Sequence, residues 1–60
     1  MDYESLRQYE GKQVRLTLVN GFWYKAKITS VSESSVTFVE MKGRNVSVSP
    51  DQIILIEVLE

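Results

Sequence analysis

The residues of this chain best equipped for chemistry are Arg15, Trp23, Lys25 and Lys27, three cations and the single tryptophan gathered within residues 13–28 (QVRLTLVNGFWYKAKI). An aromatic ring beside cations is recognition chemistry, since bases stack on the ring and phosphates settle on Lys and Arg, the combination single-strand binders use. Catalysis has no comparable footing. There is no His and no Cys, no serine triad and no phosphate-cradling glycine loop, and the carboxylates are scattered without a pair placed to share a proton. The chain therefore reads as a non-enzyme, with no cofactor, no metal site and no small-molecule substrate.

A β-hairpin must position these side chains. Val14, Leu16 and Leu18 alternate with Gln13, Arg15 and Thr17, while Phe22, Tyr24, Ala26 and Ile28 alternate with Trp23, Lys25 and Lys27, the period of two expected of half-buried strands. A two-residue Asn20-Gly21 turn would set Leu18 opposite Trp23 and Leu16 opposite Lys25, mixing core residues with lysine. A three-residue loop, Val19-Asn20-Gly21 with Gly21 in the left-handed position, sets Leu18 opposite Phe22, Leu16 opposite Tyr24 and Val14 opposite Ala26. Only the second keeps the apolar residues on one side, and a slip of one residue inverts a whole strand.

On the other face this register places Arg15 across from Lys25, Gln13 across from Lys27 and Thr17 across from Trp23. Like charges directly opposite are destabilising in a sheet, so compensation is expected. Two readings stay open. Either the cations are solvated or met by a carboxylate from another strand or subunit, or the missing anion is a nucleic-acid phosphate with Trp23 stacking a base.

Sixty residues make one domain, 1–60, and a chain this short buries only about 60% of its unfolded surface, so its core is marginal. Seven Lys and Arg against eight Asp and Glu give a net charge of -1, so polyanion binding must come from local segregation of charge. No apolar run approaches a membrane span, and the N-terminus, with Asp2 and Glu4, lacks the basic region and long apolar stretch of a signal peptide. A cytoplasmic protein with no membrane partner is expected.

In chain order, residues 1–10 read as a short helix with Asp2 as N-cap and Gly11 as its stop, packing through Leu6 and a tyrosine. After the hairpin the apolar phase shifts from Ile28 to Val31, which predicts a bend or bulge at Thr29-Ser30 of the kind that curls a small sheet into a barrel. Ser32 to Ser35 form a polar turn, followed by a third strand over 36–41, a turn around Gly43, a short fourth strand at Val46 and Val48 that Pro50 ends, and a tight turn over 49–52. The last strand, 53–59, shows Ile54, Ile56 and Val58 on one face and Ile53, Leu55 and Leu59 on the other. A strand apolar on both faces needs cover on both, and the open edges of so small a sheet invite pairing with another copy in a closed homo-oligomer. Lys42 and Arg44 form a second basic spot, either two solvated turn charges or a phosphate contact on the outer rim.

A short helix, five strands in a strongly bent small barrel over 13–59 and the pattern LTLVNGFWYKAKITSV resemble the Sm-like (LSm) family and, within it, the Hfq RNA chaperones. The resemblance implies a homo-oligomeric ring of about five to seven subunits that binds single-stranded RNA. It also implies pairing of the fourth strand with the neighbour's fifth, setting Val46 and Val48 against Ile53 and Leu55. Pore-side motifs are altered. The aspartate and asparagine of Sm proteins fall at Ser32 and Val36, the Hfq glutamine-aromatic pair at Glu33 and Ser34, its tyrosine-lysine-histidine run at Val48-Ser49-Pro50, and the second-strand glycine at Ala26. On the opposite face the Hfq base-contacting tyrosine aligns with Thr17, its lysine with Trp23 and a glutamine with Lys25, while Asn20 and Gly21 are kept. If RNA binds, the resemblance together with the register points to Arg15, Thr17, Asn20, Trp23, Lys25 and Lys27.

Overall fold

In a computed structural model that describes residues 2–59, the chain opens on a cap. The Asp2 side chain accepts the Ser5 backbone N–H at 3.0 Å at the start of helix α1 (Tyr3–Arg7). Hydrogen bonding from Ser5, through its side chain and then its backbone, holds the Asp2 carboxyl below its ordinary value. The helix predicted over 1–10 is thus five residues long, with Met1 outside the described residues. It stops early because the sheet takes over the chain: Tyr9 and Glu10 donate to carbonyls three residues back, and Gly11, at φ 80°, donates to the Ile28 carbonyl at 2.7 Å. Leu6 is fully buried and Tyr9 packs against the core, as expected.

Five antiparallel strands follow: β1 (Gln13–Leu18), β2 (Trp23–Val31), β3 (Val36–Glu40), β4 (Asn45–Val48) and β5 (Ile53–Val58). They lie in one bent sheet in the order β4-β3-β2-β1-β5. The class is mainly β, a short helix followed by a bent five-stranded sheet of small-barrel type. Among the described residues β4 and β5 do not pair with each other, so the sheet keeps two edges, and no helix is long and apolar enough to cross a membrane.

The first hairpin has the three-residue loop and the predicted register, Gln13 with Lys27 through Thr17 with Trp23. Leu18 donates to Phe22 at 2.7 Å and Gly21, at φ 90°, donates to Leu18 at 2.9 Å. The β3–β4 hairpin repeats this closure: Glu40 donates to Arg44 at 2.9 Å and Gly43, at φ 91°, donates to Glu40 at 2.8 Å. A Cβ added at Gly21 would meet nothing within 4 Å, so Gly21→Ala costs backbone strain alone, about 1–2 kcal/mol. A urea titration should show that loss with the slope unchanged.

Two bulges shape the sheet. The β2–β3 register shifts between Ile28 and Ser30, where the bend was predicted, and the Glu10 carboxylate fixes its far side by accepting the Val31 N–H at 3.0 Å. The second bulge overturns the expected faces of the last strand. Leu18 pairs with Ile53 but Thr17 with Leu55, which leaves Ile54 as the extra residue. Ile53 and Ile56 therefore both point inward at 0% and 9% exposure, while Ile54 and Leu55 are exposed.

The core is Leu6, Val14, Leu16, Leu18, Ala26, Ile28, Val36, Phe38, Ile53 and Ile56, with the Tyr24 and Phe38 rings 5.4 Å apart. Smaller corrections follow from where this core ends. Phe22, expected inside, is 65% exposed, because it closes the loop beyond the last covered residue of β1. The third strand stops at Glu40, leaving Met41 exposed in the loop, and the fourth runs Asn45–Val48. The turn expected over 49–52 contains a 3-10 helix (Pro50–Gln52) with Pro50 buried, and β5 ends at Val58.

Candidate functional site

Cross-strand register organises the outer face of the sheet into rows. Leu55, Thr17 and Trp23 form one, Glu57, Arg15 and Lys25 the next, and Gln13, Lys27, Val39 and Asn45 a third. Arg15 thus has Lys25 on one side and a carboxylate on the other. Its guanidinium lies 4.9 Å from the centre of the Trp23 ring, while no ion pair joins it to Glu57 among the described residues. A cation over an exposed ring gains about 0.5–1 kcal/mol, which offsets the like-charge pairing predicted for this face. The compensation is therefore aromatic first, with a strand carboxylate next in line.

Of the other expected contacts, Thr17 is half-buried between Leu55 and Trp23, and Lys25 and Lys27 are exposed. Asn20 is engaged in its own loop, its side-chain oxygen accepting the Phe22 N–H at 3.0 Å.

Two concavities meet at Lys25, Glu40 and Met41, which line both. One, of about 430 Å³, is bordered by Gln13, Lys25, Lys27, Val39, Met41 and Leu59. The other, of about 460 Å³, is bordered by Trp23, Tyr24, Lys25, Glu40, Lys42 and Arg44. Lys42 and Arg44, read from sequence as a separate spot, thus share a cleft with Trp23 and Lys25. The reason is local: β3 ends opposite Ala26, so the start of β2 runs on beside the β3–β4 loop, and Met41 donates to the Lys25 carbonyl at 3.1 Å.

Sequence reasoning missed Glu40, the one buried charged side chain among the described residues. Its carboxylate accepts from Arg44 Nε at 2.7 Å, and the two side chains are 8% and 75% exposed. Hydrogen bonding to Glu40 raises the Arg44 pKa further, so the cleft wall stays cationic. The available signal was a Glu and an Arg four apart around Gly43.

At the sheet edges, Val46 and Val48 of β4 are half-buried on the inner side, Leu55 is exposed on the outer side, and the Ile53 side chain lies inside the subunit at 0% exposure. Ladder alternation turns the backbone groups of Asn45 and Ser47 outward from β4 and those of Ile56 and Val58 outward from β5. Apolar side chains line the β5 edge, with Ile54, Val58 and Leu59 all exposed.

No protein-family model, curated protein or solved structure matches this chain.

Proposed function

We propose that this chain is an Sm-like subunit that assembles into a homo-oligomeric ring in the cytoplasm and binds single-stranded RNA on the face carrying the first hairpin. The observation that carries the reading is the Arg15–Trp23 stack with Lys25 in the neighbouring row. It offers an aromatic surface for a base and adjacent cations for its phosphates.

Assembly is supported by the two unpaired edges, β4 and β5, and by the exposed apolar residues along β5. Edge-to-edge pairing round a closed ring satisfies both edges. It also answers the charge problem. A single chain at net charge -1 has no general pull on RNA, but a ring sets several copies of one cationic face in a plane, where linked contacts strengthen one another.

A second reading, a structural ring without RNA, is favoured by Glu57, a carboxylate in the same row as Arg15 that competes with a phosphate for its guanidinium. Native mass spectrometry at low salt, alone and with short oligoadenylate and oligouridylate, tests both. The expected result is a discrete ring that gains an oligonucleotide. A ring that gains neither, where phosphate contacts are strongest, leaves the structural reading. A monomer at micromolar concentration overturns the ring.

A further inference from the structure

The cleft between β2 and the β3–β4 loop joins two basic features that lie far apart in sequence. Trp23 and Lys25 form one wall, and Lys42 and Arg44 the other. At about 460 Å³ it falls within the range of small-ligand sites. Three cations meet one carboxylate there, Glu40, in a chain whose net charge is -1.

The two walls are held in place. The Met41 N–H bonds to the Lys25 carbonyl at 3.1 Å, which ties the loop to the strand that carries Trp23. Gly43 closes the loop through its bond to Glu40 at 2.8 Å. Among the described residues Glu40, itself nearly buried, holds Arg44 by its Nε donor and by no other. The terminal amino groups of the guanidinium remain for a second acceptor, and a planar fork with free donors suits phosphate oxygens. Arg15 already lies over the Trp23 ring, and Trp23 also lines the cleft, which gives a base a second approach to the ring.

We infer that RNA stacked on Trp23 leaves the hairpin face through this cleft, its phosphates passing from Lys25 to Lys42 and Arg44. This rests on the RNA-binding reading above and deepens it: the loop cations belong to the same site as the tryptophan, and the strand path runs across β2.

The test uses the whole chain and its single tryptophan as reporter. Wild-type protein, Lys42→Gln and Lys12→Gln are titrated with short oligoadenylate and oligouridylate at several salt concentrations, following tryptophan emission. Lys42 is the substitution of choice because replacing Arg44 would strand the Glu40 carboxylate, and Lys12 controls for the loss of one charge outside the cleft. All three proteins should reach the same quenched end point. Lys42→Gln should bind more weakly at low salt, with a log–log salt slope about 0.7 shallower, the loss of one phosphate contact on a single strand. Lys12→Gln should match wild type. Lys42→Gln with wild-type affinity and slope, or a loss shared equally by Lys12→Gln, overturns the path and leaves the RNA reading standing. Wild-type protein that does not bind, or binds without quenching, overturns both.

Discussion

Phe38→Ala is expected to lower the unfolding free energy by about 3–5 kcal/mol. Phe38 has no exposed surface, pairs with Ile28 on one side and Val46 on the other, and packs its ring 5.4 Å from that of Tyr24. Its partners across the sheet, Ile28 and Val46, are held by the ladder and cannot move in to fill the space. A 60-residue chain has only about 3–9 kcal/mol in total at ordinary stability per residue. One truncation therefore removes from a third to all of it. Urea unfolding followed by circular dichroism at two protein concentrations is the measurement. A stability that rises with concentration reports the mass-action contribution of assembly, and the Phe38 loss should persist at both. Leu55→Ala, at a half-exposed position, should cost the isolated subunit far less. A Phe38→Ala chain as stable as wild type would contradict the core described above.

The first hairpin was legible because its pattern admits one answer. Alternation on both arms fixed each parity, and only the loop closed by Gly21 aligned Leu18, Leu16 and Val14 with the apolar residues opposite. The bend near Thr29 was legible for the same reason, as a break in phase between Ile28 and Val31. The last strand was not. A run of four apolar residues fits either parity, and the bulge that places both Ile53 and Ile56 inside is set by pairing with Thr17 and Leu18, far away in sequence. Helix length failed similarly, because the Ile28 carbonyl that captures Gly11 is a tertiary partner.

The candidate site divides along that same line. Arg15 opposite Lys25, and Thr17 opposite Trp23, followed from local register. Glu57 beside Arg15 required knowing that β5 lies next to β1, and the shared cleft required knowing that the β3–β4 loop lies beside the start of β2. What sequence could not assemble was brought together by strand order. The rows of a sheet combine residues from distant strands, and a single chain's periodicity speaks only for its own strand.

Trp23→Ala is expected to weaken single-stranded RNA binding by about 1–3 kcal/mol for each base stacked on the ring, roughly 5- to 150-fold. The fold should survive, because Trp23 is 53% exposed on the outer face and contributes nothing to the buried core. The subunit loses the cation–ring contact with Arg15, about 0.5–1 kcal/mol at an exposed site, and Arg15 is left opposite Lys25 without its cover. Both cations nevertheless remain, so the salt dependence of the residual binding should stay near that of wild type. That separation distinguishes stacking from charge: Trp23→Ala lowers affinity at every salt concentration, whereas loss of a phosphate contact changes the slope. Trp23→Phe should recover part of the affinity, since a smaller ring still offers a face to a base. With the reporter gone, anisotropy of a labelled oligonucleotide gives the affinity and native mass spectrometry shows whether the variant keeps the assembly state of wild type. Unchanged affinity in a variant that assembles as wild type does would remove Trp23 from the proposed site, and with it the main reason to place RNA on this face.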